Sequence, residues 1–337
     1  MNATGSSIGI VIVTHNSAGF IEPCLEAALQ RSSQVVVVDN ASSDQTCQIV
    51  RRFSHVRLLA NAHNAGFAAA VNQGFARLSC EFVLVLNPDA ILQSGLEILA
   101  EACRLPKVAA AAGQLIDTAG RPQTGFMVRR FPTATVLALE TLGLNKLWPG
   151  NPVNRRYRCL DLDYSKPQDV DQPAGAFLMI ARRVWLELGG FDEQFHPLWF
   201  EDVDFLERLR KQGYRTRFVP EAAALHYGAH SIAGMQPRLR VWYWYANLLR
   251  YAAKHFRSKG FRTVAAAVAV GTAARMITGI SAGHGLKPLA EYGKVLRLAG
   301  KAVFVGPSCL RGEACGSSLN LEKNSDSTLR NSHSHGS

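Results

Sequence analysis

From residue 8 onward the chain switches repeatedly between two hydrophobic periods. A β-branched run at 8–13 gives way to polar Thr14-His15-Asn16 and then to helical spacing through Ile21, Leu25, Ala28 and Leu29. The run 35–38 ends in Asp39-Asn40 before a helical stretch over 44–53. The run 56–59 precedes a helix over 68–78, and 82–86 leads into Asn87-Pro88-Asp89 ahead of a helix over 95–104. Continuous apolar strands alternating with amphipathic helices predict an α/β fold with a doubly wound, mostly parallel sheet. Each strand ends in a polar cluster: Thr14/Asn16, Asp39/Asn40, Asn61/Asn64 and Asn87/Asp89. Ligands of open α/β sheets bind at the carboxyl ends of strands, so four such clusters on one rim describe a site. Taken singly, each is also an ordinary turn or N-cap sequence.

Residues 117–170 have weak periodicity and much Gly and Pro, as an insertion would. A second block over 170–227 predicts a strand at 176–181, a helix after Arg182, and a turn at Gly189-Gly190-Phe191-Asp192. A helix over 202–212 and strands at 214–219 and 222–226 complete it. Beyond Pro237 the pattern is helical, and the polar stretch after Gly316 predicts disorder. The expected organisation is a catalytic unit over 1–235, with a nucleotide-binding half at 8–115 and an acceptor-side half at 170–235. A basic helical extension over 236–312 and a disordered tail over 313–337 follow.

The formal net charge of +11 sharpens this picture by where it sits. From Arg238 to Arg311 there are thirteen Lys and Arg against the single acid Glu291, so the remainder is near neutral. Basic residues mixed with aromatics in RVWYWYANLLRYAAKHFRSKGFR suit the anionic surface of a membrane, not a nucleic acid. The same aromatics would equally serve to pack this helix on the catalytic unit and close its acceptor side. No uninterrupted apolar run reaches membrane-spanning length, and the N-terminus has no secretory pattern. Seven cysteines lack metal or redox spacing, which fits free thiols and a cytoplasmic protein lying at the inner face of the membrane.

The THNSAGF segment after the first strand lacks the glycine fingerprint of a dinucleotide site, which argues against NAD. It is neither glycine- nor lysine-rich enough for a nucleotidyltransferase phosphate loop. NAHNAGFAAAVNQGF puts small residues where a ligand or a strand would come close. Asp89, closing a buried strand in VLVLNPDA, is placed to hold a hard divalent cation against a diphosphate. In FHPLWFEDVDFLERLRKQGY, Glu201, Asp202 and Asp204 open a helix, where acids also favour the dipole. Asp202 and Asp204 point about 200° apart on a helix, so they need not share a role. Trp199 offers a platform for a sugar ring, and LHYGAHS ends a strand with His226 and His230.

The order of these motifs resembles the inverting family 2 glycosyltransferases of the A-type nucleotide-sugar fold, and among them the bacterial rhamnosyltransferase-like branch. VIVTHN, VVDNASSD, NAGFAAAVNQG, LNPDA, PAGAFLMIAR, GGFDEQF, FEDVDFLERLRKQGY and LHYGAHS carry the resemblance over 8–235. It implies that Thr14, Asn16 and Asp39 contact the base and ribose, with Asn64, Asn72 and Asn87 flanking the donor. Asp89 matches the last residue of the family's metal-binding DxD, with Asn87 in place of its first Asp, and His226 the histidine that completes the metal site. Asp202 matches the catalytic base, and Trp199 and Glu201 look like acceptor-side contacts. The implied partners are Mg²⁺ or Mn²⁺, a dTDP- or UDP-sugar, dTDP-rhamnose foremost, and a glycan or lipid-linked acceptor. UDP-galactose, UDP-N-acetylglucosamine and GDP-sugars remain open. The alternative is a catalytically silent copy of the fold that recruits a partner transferase to the membrane.

Overall fold

The computed structural model describes residues 8–228, 234–283 and 285–310. The N-terminal heptapeptide, His230, Cys315 and the tail lie outside the described residues. The first half alternates as its pattern predicts. Strands β1 (Ile8–Thr14), β2 (Val35–Asp39), β3 (Val56–Ala60) and β4 (Phe82–Leu86) are separated by helices α1 (Ile21–Leu29), α2 (Thr46–Val50) and α3 (Phe67–Phe75). Next come β5 (Ala90–Ser94), α4 (Leu96–Arg104) and β6 (Val108–Ile116). The insertion holds β7 (Val128–Arg129), α5 (Ala134–Thr141), α6 (Leu144–Leu147), α7 (Pro152–Tyr157) and β8 (Gln168–Val170). Then follow β9 (Gln172–Pro173), β10 (Phe177–Ala181), α8 (Arg182–Leu188), α9 (Glu201–Lys211) and β11 (Arg215–His226). The chain closes with α10 (Pro237–His255), α11 (Ser258–Ser281) and α12 (Lys287–Val305).

The strand order is β3-β2-β1-β4-β10-β6-β11-β5, with β8 beside β11. β3, β2, β1 and β4 run parallel, β10 inserts antiparallel between β4 and β6, and β6 pairs parallel with β11. The valine-rich β1, β2 and β4 are buried along their full length, because helices cover both faces. Strand order turns back between β1 and β4, which opens a crevice at their carboxyl ends.

Two elements differ from expectation. The strands foreseen at 214–219 and 222–226 are one, β11, whose register shifts between Phe218 and Ala223. At that bulge the backbone comes so close that a Cβ on Gly113 would lie 2.2 Å from the Ala222 carbonyl oxygen. β5 also carries no alternation strong enough to announce it, since it is defined by pairing with β11. The insertion is structured: Thr133 caps α5 by accepting from Val136 N–H, and Asn151 caps α7 ahead of Pro152.

Helix α10 packs on the catalytic core. Tyr245, Leu248, Leu249 and Tyr251 share a buried cluster with Phe195, Val203 and Leu137. Asp204 is fully buried and binds Arg208 at 2.9 Å, Lys254 at 2.8 Å and His255 at 2.7 Å. This charged cluster bolts α9 to the last turn of α10. α11 is interrupted by Lys259, Arg262 and Arg275, yet by length and composition it is long and apolar enough to cross a bilayer. It nevertheless buries Phe261, Val264, Ala265, Val268 and Gly271, and Arg275 donates to the Thr141 carbonyl at 2.6 Å, seating α11 beside α5.

The loop between α8 and α9 depends on α10. Trp199 and Phe200 both have positive φ, 77° and 73°, a region that costs non-glycine residues of order 1–3 kcal/mol each. Asn247, fully buried, donates to the carbonyls of Leu198 at 2.8 Å and His196 at 3.2 Å. Phe67 N–H donates to the Pro197 carbonyl at 2.7 Å from the other side. Asn247→Ala strips two part-buried carbonyls of their donor. Urea denaturation should show a loss of about 1–3 kcal/mol; a loss under about 0.5 kcal/mol, typical of a surface change, would mean that the loop holds itself.

Candidate functional site

A cavity of about 770 Å³ opens over the carboxyl ends of β1 and β4. One wall comes from strand ends: Thr14, Asn16, Asn40, Asn64, Asn87 and Asp89. The opposite wall comes from the loop and first turn of α9, with Trp199, Glu201 and Asp202, and from Tyr243 and Trp244 of α10. The basic, aromatic helix thus lines the site, the second of its two expected roles.

Asp89 and His226 meet through a strand pairing. β5 and β11 run antiparallel with Ala90 opposite His226, and Tyr227 N–H donates to the Asp89 carbonyl at 3.0 Å. Both side chains are buried, and His226 Nε2 lies 3.7 Å from Asp89 Oδ1, beyond hydrogen-bond length. Asp89 Oδ1 has no hydrogen-bond partner among the described residues. Burial lowers the His226 pKa, with the Asp89 charge opposing, so the imidazole is neutral. Gln123 determines its tautomer. Its amide donates to the His226 carbonyl at 2.7 Å, and its Oε1 sits 2.9 Å from Nδ1. Once Nδ1–H donates to that oxygen, Nε2 keeps its lone pair facing Asp89. A buried carboxylate oxygen without a partner, facing an imidazole lone pair, suits a divalent cation. No cluster of three acidic, histidine or cysteine ligands exists among the described residues, so a metal there would complete its shell with other oxygen donors, water or phosphate among them.

Asp202 faces the cavity while Asp204 turns to α10, as their angular separation requires. Gly175 N–H donates to Asp202 Oδ2 at 3.0 Å and Val203 N–H to Oδ1 at 2.8 Å. Gly175 keeps this approach open: a Cβ there would lie 3.1 Å from Oδ2. Desolvation raises the Asp202 pKa, and the backbone donors and Arg129 pull it back only in part. Glu201, 6% exposed, has an Oε2 without partner and a pKa raised well above the ordinary value, by burial first and then by Asp202 and Asp204.

Two of the residues expected to contact the donor lie behind the cavity lining in this structure. Asn72 does not reach the cavity. Its amide clamps the Gly190-Phe191 turn, accepting from Phe191 N–H at 3.0 Å and donating to the Phe191 carbonyl at 2.9 Å. Asp39 is buried below the wall, accepting from Thr14 Oγ1 at 2.7 Å and from the Ser42 N–H at 2.9 Å and hydroxyl. It braces the rim from behind. Asn16 and Asn64 line the cavity while bonding locally, Asn16 to Ser43 N–H and Asn64 to Gly66 N–H. Sequence reasoning missed Gln123, Gly175 and Arg129. Of these, only Gly175 lay in a quoted motif; Gln123 and Arg129 sit in the insertion, where no periodicity marks them. Four of the six described cysteines, Cys24, Cys80, Cys103 and Cys159, are buried, and burial pushes their thiols up.

Comparison with known proteins agrees with this geometry. Residues 9–161 match the family model "Glycosyl transferase family 2". The N-acetylglucosaminyl-diphospho-decaprenol L-rhamnosyltransferase of Mycobacterium tuberculosis is 32% identical over 239 residues, covering 66% of this chain and 76% of that protein. Rhamnosyltransferase WbbL of Escherichia coli is 26% identical over 232 residues, covering 66% of this chain and 83% of the relative. Among solved structures, the mannosyltransferase PcManGT of Pyrobaculum calidifontis, in complex with GDP-Man and Mn²⁺, is similar in fold. Its TM-score is 0.51 at 18% identity, covering 91% of this chain and 86% of that one. With its A-type nucleotide-sugar fold and its rhamnosyltransferase relatives, this chain belongs to glycosyl transferase family 2.

Proposed function

We propose that this glycosyltransferase moves a sugar, with inversion, from a nucleoside-diphosphate donor to a hydroxyl of a lipid-linked or cell-surface glycan, with dTDP-L-rhamnose the first donor to test. The observation that supports this reading best is one cavity with Asp202 on one wall and the Asp89–His226 pair on the other. The curated relatives are named for rhamnosyl transfer, and one for a diphospho-decaprenol acceptor. Asp202 accepts the proton of the attacking hydroxyl as general base. Its two backbone donors hold the carboxylate in place, and partial desolvation strengthens it as a base. Asp89 and His226 would hold Mg²⁺ or Mn²⁺, which when bound stabilises the charge developing on the leaving diphosphate. Thr14, Asn16, Asn64 and Asn87 border the donor, while Trp199 and Glu201 face the acceptor. The protein works at the cytoplasmic face of a membrane, a placement supported by the positive surplus after Arg238 and the apolar α11.

Calorimetry with dTDP-, UDP- and GDP-sugars, with Mn²⁺ and then with chelator, tests the reading. Binding of one donor that chelation abolishes is expected; no binding across the panel by folded protein would turn the case toward a silent scaffold. Asp202→Asn should bind donor normally and lose about 10²–10⁴-fold in kcat. Near-normal turnover would move the base elsewhere.

Gln123→Leu keeps volume but frees the His226 ring. Mn²⁺ affinity, read by electron paramagnetic resonance with nucleoside diphosphate present, should fall about 10–100-fold. Unchanged affinity would mean that the strand pairing alone orients the imidazole.

Glu201 also makes stability depend on pH. Its folded pKa lies above the unfolded value, so the folded state keeps a proton that the unfolded chain releases from about pH 4 upward. Stability should therefore fall as pH rises through that window. Glu201→Gln should flatten the fall in melting temperature, and an unchanged slope would assign the dependence to other groups.

A further inference from the structure

The cavity has a third wall that neither the donor rim nor the base accounts for. It is built by the insertion: Phe126, Arg129, Val136, Leu137, Tyr157 and Arg158. Two half-buried arginines there are unusually prepared. Arg129 donates its Nε to the Gly125 carbonyl at 3.1 Å, and Arg158 its Nε to Asn154 Oδ1 at 3.0 Å. Asn154 is itself buried and tied down through its amide to the Pro149 carbonyl at 2.7 Å. Both side chains lie beside Gly125, which accepts from Arg129 and at which a Cβ would lie 3.5 Å from Arg158 Cβ. Arg129 also lies over the rings of Phe126 and Tyr157, 5.9 and 5.8 Å from their centres. Among the described residues neither arginine forms an ion pair with a carboxylate, and their terminal amino groups carry no recorded hydrogen bond. Anchored at Nε and open at Nη, a guanidinium presents the edge that forks onto phosphate oxygens.

What lies beyond this wall identifies the ligand more closely. Val136 and Leu137 of α5 line the cavity, and the chain then leaves it through α6. There Leu144, Leu147 and Trp148 are 43%, 81% and 65% exposed. The Arg275 contact with Thr141 brings α11 alongside, where Ile277 and Ile280 are also exposed. Exposed apolar side chains therefore follow the cavity wall along the same segment of chain. That order, anion site first and hydrocarbon surface second, fits an amphiphile with a charged head.

We propose that Arg129 and Arg158 form a second diphosphate site, separate from the donor's, which holds the acceptor by a prenyl-linked diphosphate while its hydrocarbon leaves along α5 and α6 toward Leu147 and Trp148. This rests on the acceptor side of the function proposed above. Arg129 and Asp202 line the same cavity, so a sugar attached to that diphosphate shares the cavity with the base. Because Phe126 touches both Arg129 and the His226 ring, the donor's diphosphate is the competing source of the same chemistry.

Calorimetry on the full chain with geranyl diphosphate, in chelator, separates the two sources without needing turnover. Wild type should bind geranyl diphosphate at least tenfold more tightly than geraniol, and saturating dTDP or UDP with Mn²⁺ should leave that binding in place. The R129Q/R158Q double variant should lose at least tenfold in affinity, and R129K/R158K should recover part of it. If the double variant fails to fold, judged by circular dichroism, R158Q alone carries the test with a loss of at least threefold expected. Displacement of geranyl diphosphate by the nucleotide would hand the arginines to the donor and overturn the proposal. So would wild-type binding no tighter than geraniol, or folded variants that bind like wild type. Failure of every nucleotide to bind, with geranyl diphosphate still held, would sink the transferase reading alone.

Discussion

The antiparallel ladder between β5 and β11 is the constraint on which the site rests. It sets Ala90 against His226, and so delivers Asp89 and His226 to one spot from distant parts of the chain. A slip of one residue would turn the histidine to the opposite face of the sheet. The bulge before Ala223 takes up the mismatch between the two halves of β11, allowing the first to pair with β8 and the second with β5. Gly113 and Gly95 permit the close backbone approach there, where side chains would collide with Ala222. Register, bulge and glycines thus form one device that ends in a carboxylate facing an imidazole.

The other half of the site is held from outside the sheet. Two consecutive non-glycine residues with positive φ, just before Glu201, aim the first turn of α9 into the cavity. Such backbone persists only where its surroundings over-determine it. Here they do so through Asn247, through Phe67 N–H, and through Phe200 against Tyr251. The buried Asp204 cluster performs a second service. By absorbing Lys254, His255 and Arg208 on the far side of α9, it leaves Asp202 to face the cavity free of direct ion pairs. α10 is therefore part of the catalytic architecture, although its sequence also reads as an interfacial helix.

The first half of the fold was legible because strands buried on both faces leave unbroken Val and Leu runs, and the helices between them keep a clean 3.6 period. The polar strand ends followed from the same logic. Asn72 and Asp39 show where legibility ends: Asn and Asp at strand and helix ends serve as ligand contacts and as backbone clamps with the same residue types. Only three-dimensional partners, the Phe191 turn for one and Ser42 with Thr14 for the other, separate the two uses. β5 could not be seen because its pairing partner is remote. Gln123 could not be seen because its importance lies wholly in the histidine beside it.

The insertion shows where reading by periodicity stops. Its helices are short and capped by single residues, and its strand β7 is two residues long, too little for any repeat to register. Yet it lends the cavity Arg129 and Arg158 as lining residues, and Gln123 as the support of His226. The parallel core can change little without losing the rim, whereas a capped, loop-rich wall can vary in length and charge at small cost to the sheet. The cavity's strand-end rim is therefore bound to the sheet, and the wall freest to change is the one whose sequence says least about its structure.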